Sequence, residues 1–185
     1  MKKLIYSSVG LVFFFILVLG VLYPVSLVYM GEGVLKAKSL GSFIFDSKSG
    51  KIIGSELIGQ NWINPRYFWG RPSINSYDPM NSGGSQFAPI SLQLKNQIEE
   101  NSKKYSSEGE NIPEDLLLSS GSGLDPHISV EGAIFQISRI ARERKLNEER
   151  IRLLVLSLVE KKTFGVLGQD RINVLKLNQK LDQLE

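Results

Sequence analysis

The apolar and polar positions divide the chain near its start. From Leu4 to Tyr29 the sequence is apolar with few interruptions, and Val9 to Leu22 carries no charge. A helix rises about 1.5 Å per residue, so roughly 20 residues cross the hydrocarbon core of a bilayer. The run is apolar on every side, which excludes a soluble amphipathic helix. Tyr6 stands at one end and Tyr23 and Tyr29 at the other, as interfacial aromatics do. Pro24 falls near the outer end, where a bend is tolerated. A cleaved signal peptide has a shorter apolar region and a small-residue cleavage site, whereas this run continues through Val25 to Val28. The pattern predicts an uncleaved transmembrane anchor over 1–30. Lys2 and Lys3 precede it, so the N-terminus belongs in the cytoplasm and the bulk of the chain outside, on a cell membrane.

A linker over 31–41 leads to residues 42–185, which read as one small extracytoplasmic domain of mixed α/β character. The fold class expected is α+β. Ser42 to Phe45, a turn at Asp46 to Gly50, and Lys51 to Ile53 read as strand, turn, strand. Asn61 to Ser73 concentrates Trp62, Tyr67, Phe68 and Trp69, and Pro65 and Pro72 exclude a regular helix there. Such a cluster is either core under a long loop or an interaction surface. Helical periodicity predicts helices near 90–105, 128–145, 148–162 and 174–184. The first has Ile90, Leu94 and Ile98 on one face. The second lines up Val130, Ala133, Ile134, Ile137, Ile140 and Ala141, with Arg139, Arg142, Glu143 and Arg144 mostly on the other face. The third is capped by Asn147, buries Ile151, Leu154, Val155, Leu158 and Val159, and ends in Lys161 and Lys162. The last starts near Asn173 and faces inward with Val174, Leu177, Leu181 and Leu184.

Composition narrows the function classes. The 185 residues are 42% hydrophobic, enough for one modest core, and include no cysteine, so there is no disulfide framework. The formal net charge is +3. Setting aside Lys2 and Lys3 leaves 20 basic against 19 acidic side chains, and no basic face is clustered as a nucleic-acid binder requires. His127 is the only histidine, which rules out a typical zinc site.

Two polar glycine loops are the candidate chemistry. In Ser119 to Ser129, Ser120, Gly121, Ser122 and Gly123 make a tight turn, both glycines being free to take positive φ. Asp125 before Pro126 reads as a helix N-cap, and Ser129 is a second candidate cap. A polar loop pinned at a helix start is the geometry of an anion or carbonyl site, and equally of any well-capped helix. The second loop, Ser82, Gly83, Gly84, Ser85 and Gln86, has amides that could cradle phosphate and faintly resembles the Leu-Ser-Gly-Gly-Gln signature of ABC transporters. Neither a Walker A pattern nor an Asp-Lys-Thr-Gly phosphorylation motif occurs, so the chain is not expected to hydrolyse a nucleotide unaided. Asp125, His127 and a serine could form a hydrolase triad, but no Gly-x-Ser-x-Gly elbow is present.

Taken in order, Leu57-Ile-Gly-Gln60, Tyr67-Phe68, Gly70-Arg-Pro-Ser73, Ser82-Gly-Gly-Ser85, Ser119-Ser-Gly-Ser-Gly-Leu-Asp-Pro-His-Ile-Ser129, Gly168, Arg171-Ile-Asn-Val-Leu175 and Leu177-Asn178 resemble the KdpC family, the C chain of the Kdp potassium-transporting P-type ATPase. The likeness covers nearly the whole chain and departs from the family pattern around Gln86-Phe87 and Ile90-Ser91. It implies a non-catalytic accessory subunit, held in membrane lipid beside a channel-like potassium-binding subunit, a P-type ATPase subunit and a small membrane peptide. It implies potassium as the transported ion, no tightly bound cofactor and no catalytic or metal-binding residue. It also implies a catalytic chaperone that raises the ATPase subunit's affinity for ATP, with residues 82–86 as nucleotide-binding by analogy. The topology puts that loop outside, away from cytoplasmic ATP, so ATP would act through the partner subunit. By the same resemblance Ser120, Gly121, Ser122, Gly123, Asp125 and His127 form a structural or interaction loop. The alternative is a membrane-anchored extracytoplasmic hydrolase using Asp125 and His127.

Overall fold

In the computed structural model, which describes residues 2–46, 49–109 and 111–184, the apolar run is helical from Lys2 to Gly33. Two α segments, α1 (Lys2–Leu17) and α2 (Tyr23–Gly33), flank a π turn at Val18–Leu22. Pro24 explains the turn. Its ring crowds the carbonyl four residues back, Gly20, and it has no N–H to donate. Widening the preceding turn lets the Tyr23 N–H reach the Val18 carbonyl instead, and the helix passes the proline unbroken. Pro24 is thus accommodated by a π turn. None of this helix is buried, and it is long and apolar enough to cross a membrane.

The chain divides into two compact units, 1–43 and 44–185. Much of the stretch read as a linker is helical: α2 runs to Gly33, and Lys36–Ser39 form a short α3. The expected hairpin is present, as β1 (Phe43–Phe45) and β2 (Ile52–Ser55). The Asp46 carboxylate holds its turn by accepting from the Ser49 N–H and hydroxyl at 3.0 and 2.6 Å.

The second sheet was not expected. β3 (His127–Ser129) pairs antiparallel with β4 (Arg171–Asn173), and Ile128 lies opposite Ile172, both buried. Each strand runs directly into a helix. β3 leads to α6 (Val130–Phe135), whose cap is Ser129, and β4 leads to α9 (Val174–Leu181), whose cap is Asn173. A strand residue with extended ψ already has the backbone of an N-cap, so ladder and helix share one residue. Between them lie α7 (Ile137–Arg144) and α8 (Glu148–Ser157), while α4 (Leu92–Lys103) and α5 (Glu114–Leu117) precede β3. Ile137, Ile140, Ile151, Val155, Leu177 and Leu181 fill the core between these elements. Each such side chain, fully buried, stabilises by about 1.5–3 kcal/mol.

Several boundaries differ from the pattern. The helix expected over 128–145 starts at Val130, because His127 to Ser129 are taken by the ladder, and it is divided at Gln136. It ends on Lys145, which takes the left-handed conformation (φ 57°) that a terminal glycine usually supplies. The helix expected to reach Lys162 stops at Ser157, so Lys161 and Lys162 lie beyond it. Ser91 caps α4, and Ile90, outside the helix, is 98% exposed rather than inward-facing.

The aromatic stretch is core. Phe68 is fully buried, with Trp62 and Trp69 packed against the same cluster. An irregular loop can be buried only if its backbone polar groups find partners. Here two buried amide side chains supply them. Asn178 accepts from the Phe68 N–H at 2.9 Å and donates to the Phe68 carbonyl at 3.0 Å. Gln136 does the same for Trp69, at 2.8 and 3.1 Å. Arg139, placed by periodicity on the polar face, is 3% exposed. Its guanidinium donates to the carbonyls of Pro65 and Tyr67 and to Gln136, pairs with Glu108 at 2.8 Å, and stacks 3.8 Å from the Trp69 ring centre. Burial pushes the Glu108 carboxyl above its usual range, and Arg139 pulls it part of the way back. Arg144 is buried likewise, donating to the Arg66 carbonyl and pairing with Asp182 at 2.7 Å.

Trp62 and Trp69 report on this region by fluorescence. Arg139→Leu leaves the Glu108 carboxylate buried without its partner and is expected to cost about 3–5 kcal/mol in urea unfolding. Ile137→Asp should cost on the order of 4 kcal/mol, since a charge enters the core. Losses below about 1 kcal/mol in both variants would show that α7 does not carry the core.

Candidate functional site

The two glycine loops, far apart in sequence, are one structure. The Gly83 N–H donates to the Ser122 carbonyl at 2.8 Å, and the Ser82 hydroxyl donates to the same oxygen at 3.0 Å. Gly123 alone of the predicted pair has positive φ, at 68°. A Cβ there would meet the Gly83 carbonyl oxygen at 2.8 Å and the Ser73 hydroxyl at 3.3 Å, so the position needs glycine twice over, for φ and for close approach. A Cβ on Gly84 would sit 3.0 Å from the Gly121 carbonyl oxygen. Gly121 itself lacks positive φ and faces open space, which corrects the expectation that both glycines set the turn. The loops therefore interlock backbone to backbone. The Gly83 amide, one of those proposed to cradle phosphate, is already bonded, while Gln86 is exposed with φ of 53° and Ser85 is half-buried.

Asp125 does not cap a helix. Its carboxylate accepts from the His127 N–H at 3.0 Å, closing a local turn that feeds β3. The helix cap is Ser129, whose hydroxyl accepts from the Gly132 N–H at 2.8 Å. The place an external anion would take at this helix start is filled by Asp115, which the sequence did not single out. Its two carboxylate oxygens accept from the Ser129 N–H at 2.6 Å and the Ser129 hydroxyl at 3.0 Å.

From Asp125 a line of charges crosses the domain surface. Arg71 Nη1 lies 3.4 Å from Asp125 Oδ2, and Asp125 Oδ1 lies 3.3 Å from His127 Nδ1. His127 Nε2 faces Glu160 at 3.6 Å; Glu160 also meets Arg171 at 3.3 Å and Lys176 at 3.5 Å; Lys176 reaches Glu56 at 2.6 Å. Partial burial raises the Asp125 carboxyl, but hydrogen bonds from the His127 side chain and backbone, with the charges of His127 and Arg71, outweigh it, and its pKa lies below the usual value. Lys176 is raised, chiefly by its bond to Glu56. Arg71 and Arg171 were noticed only within family motifs, and Glu56, Asp115, Glu160 and Lys176 not at all. No spacing rule links residues brought together by two three-residue strands.

In a serine triad, His Nε2 points at the nucleophile. Here Nε2 faces the Glu160 carboxylate, and among the described residues no serine hydroxyl is bonded to the imidazole. An open depression of about 270 Å³ beside it is lined by Arg71, Asp115, Asp125, His127, Asp170 and Arg171. The arrangement sets His127 between the carboxylates of Asp125 and Glu160.

A sequence model of the family described as KdpC: K+-transporting ATPase, c chain, matches residues 5–183. The chain is 40% identical over 182 residues to a potassium-transporting ATPase KdpC subunit of Shewanella putrefaciens, covering 96% of this chain and 88% of that one. It is 40% identical to the protein of the same name in Methylorubrum populi, covering 89% of each chain, and 40% identical to that of Burkholderia mallei, covering 98% of this chain and 97% of the other.

Two measurements check the interlock. Gly123→Ala should lower stability by more than about 1 kcal/mol, whereas Gly121→Ala should be neutral or stabilising by a few tenths; equal effects would show that the loops do not interlock as described. Asp125 has a folded pKa below its unfolded value, so its contribution is present above the unfolded pKa and lost as pH falls through the folded one. Asp125→Asn should therefore be less stable than wild type at neutral pH, and the gap should close as pH falls below the unfolded carboxylate pKa and through the lower folded one. A pH-independent gap would assign the difference to something other than charge.

Proposed function

We infer the function of this chain from the family to which it belongs, KdpC, the c chain of the K+-transporting ATPase. We propose that it is a non-catalytic accessory subunit of a high-affinity, ATP-driven potassium uptake complex, which it assembles and stabilises. Its partners in this reading are a channel-like potassium-binding subunit, a P-type ATPase subunit and a small membrane peptide. The helix Lys2–Gly33 is its single membrane span, with the N-terminus in the cytoplasm and residues from about 44 outside. The observation that carries the reading is the family match over residues 5–183, which takes in both the apolar helix and the domain.

The site supports a structural role for both glycine loops. The Gly83 amide and Ser82 hydroxyl are bonded to Ser122, Asp115 fills the helix start, and His127 lies between two carboxylates. In this reading any rise in ATP affinity is exerted through the ATPase subunit, with residues 82–86 shaping the domain and making no direct bond to nucleotide. The hydrolase reading lacks a nucleophile at His127 Nε2 and is the weaker of the two.

The chain has no cysteine, so an introduced one is unique. Ser107 is exposed beside the buried Glu108. Ser107→Cys should react with an impermeant thiol reagent in intact cells; labelling only after lysis would reverse the orientation. His127→Ala should leave co-purification with the partner subunits and potassium-limited growth close to wild type. Lost uptake at normal assembly would give His127 a chemical role and sink the structural reading of its loop.

A further inference from the structure

We propose that the cavity between the aromatic stretch and α4 is a binding site for a small aromatic hydroxy-carboxylate. The inference is independent of the subunit reading, because it rests on the interior of the domain alone. The cavity has a volume of about 240 Å³, and four rings, those of Trp62, Trp69, Tyr77 and Tyr105, stand in its wall. Aromatic walls with a few placed polar groups are the usual form of a small-molecule site.

The walls are held by bonds that a ligand would leave intact. Gln136 holds the Trp69 backbone, the Trp69 indole N–H donates to the Asn64 carbonyl at 3.1 Å, and Arg139 stacks on the ring. The Tyr77 phenol donates to the Arg71 carbonyl, and the Tyr77 N–H donates to the Ser73 hydroxyl at 2.9 Å. The Tyr77 ring lies where two glycines leave room. A Cβ on Gly59 would sit 2.7 Å from the ring, and one on Gly70 would sit 3.0 Å from its hydroxyl. Ser76 and Tyr77 both take the left-handed conformation, φ 53° and 61°, which is strained for a residue as bulky as tyrosine. The fold thus keeps the rings apart where close packing would otherwise shut the gap. Walls fixed in advance lose little entropy on binding.

The polar groups select the ligand. Arg71 and Lys104 line the cavity and, among the described residues, no carboxylate does, so the site takes an anion. Asp125, which meets Arg71 Nη1 at 3.4 Å, lines the neighbouring depression instead. Among the described residues, Arg71 Nε and the Gln97 side-chain oxygen are buried without a hydrogen-bond partner. Leaving either unpaired is costly, so the first calls for an acceptor and the second for a donor. A carboxylate answers Arg71, and a hydroxyl on the same molecule answers Gln97. An ammonium would answer Gln97 too, but it would meet the like charges of Arg71 and Lys104. The body that joins the two groups is a flat ring, which packs on aromatic walls by its face or its edge.

The chain's two tryptophans both line this cavity, so their fluorescence reads it directly. With the full chain in mild detergent, 4-hydroxybenzoate should change tryptophan emission saturably and raise the melting temperature. Benzoate lacks the hydroxyl and 4-hydroxybenzamide lacks the charge, and each should bind at least about tenfold more weakly. Gln97→Leu removes a buried unpaired oxygen. It should keep or raise the melting temperature of the free chain, weaken 4-hydroxybenzoate about tenfold and leave benzoate unchanged. A Kd for 4-hydroxybenzoate weaker than about 1 mM, equal affinity for the three compounds, or wild-type binding by Gln97→Leu would each overturn the site.

Discussion

Arg139 is the group on which the domain's construction turns. A guanidinium has five N–H donors in a fixed plane, and here they are shared among the carbonyls of an irregular loop, a buried carboxylate and a buried amide. The loop containing Phe68 and Trp69 has no strand partner; Asn178 and Gln136 serve the carbonyls of Phe68 and Trp69, and Arg139 serves those of Pro65 and Tyr67. The flat face of Arg139 also covers Trp69. Glu108 neutralises the charge from a separate segment and so ties the polar stretch after α4 to α7. A lysine could not replace it, because a single ammonium cannot bridge coplanar acceptors on three segments.

The interlocked glycine loops depend on that frame. The 61–73 stretch continues to Ser73 and Tyr77, and Tyr77 donates from its backbone to Ser73 and from its phenol to the Arg71 carbonyl. Burial pushes the Tyr77 phenol up to about 12. Against this wall Gly123 and Gly83 approach closely enough to exclude a side chain. The loops look like a ligand cradle in sequence because phosphate-binding loops need the same features, small residues and unencumbered amides. In the folded chain another segment of backbone takes the place of the ligand.

The core helices were legible because their apolar positions recur at helical spacing along one face. The stripes over 130–141, 151–159 and 174–184 carry the core as the periodicity indicated. The helix starts at Asn147 and Asn173 follow from side-chain chemistry local to each helix. The second sheet was hidden because each of its strands buries only one or two residues, too few to show a period of two, and His127-Ile128-Ser129 merges into the helical pattern that follows. Arg139 was misplaced for a related reason. Periodicity separates apolar from polar residues, but it cannot say that the surface opposite a polar face is a loop in need of donors. The charge line from Arg71 to Glu56 was invisible because it joins five separate stretches of chain.

Asn178 and Gln136 hold two consecutive residues, Phe68 and Trp69, from two different helical segments. Each amide reads both the N–H and the carbonyl of its residue, and the two residues are joined by a single rigid peptide. The spacing between α9 and the α6–α7 junction is thus gauged by one peptide unit. If α9 slid along its neighbours, the peptide could not follow both amides, and at least one pair of buried hydrogen bonds would break. Force applied to α9 would therefore reach α7 and Glu108 through this peptide as a rigid displacement.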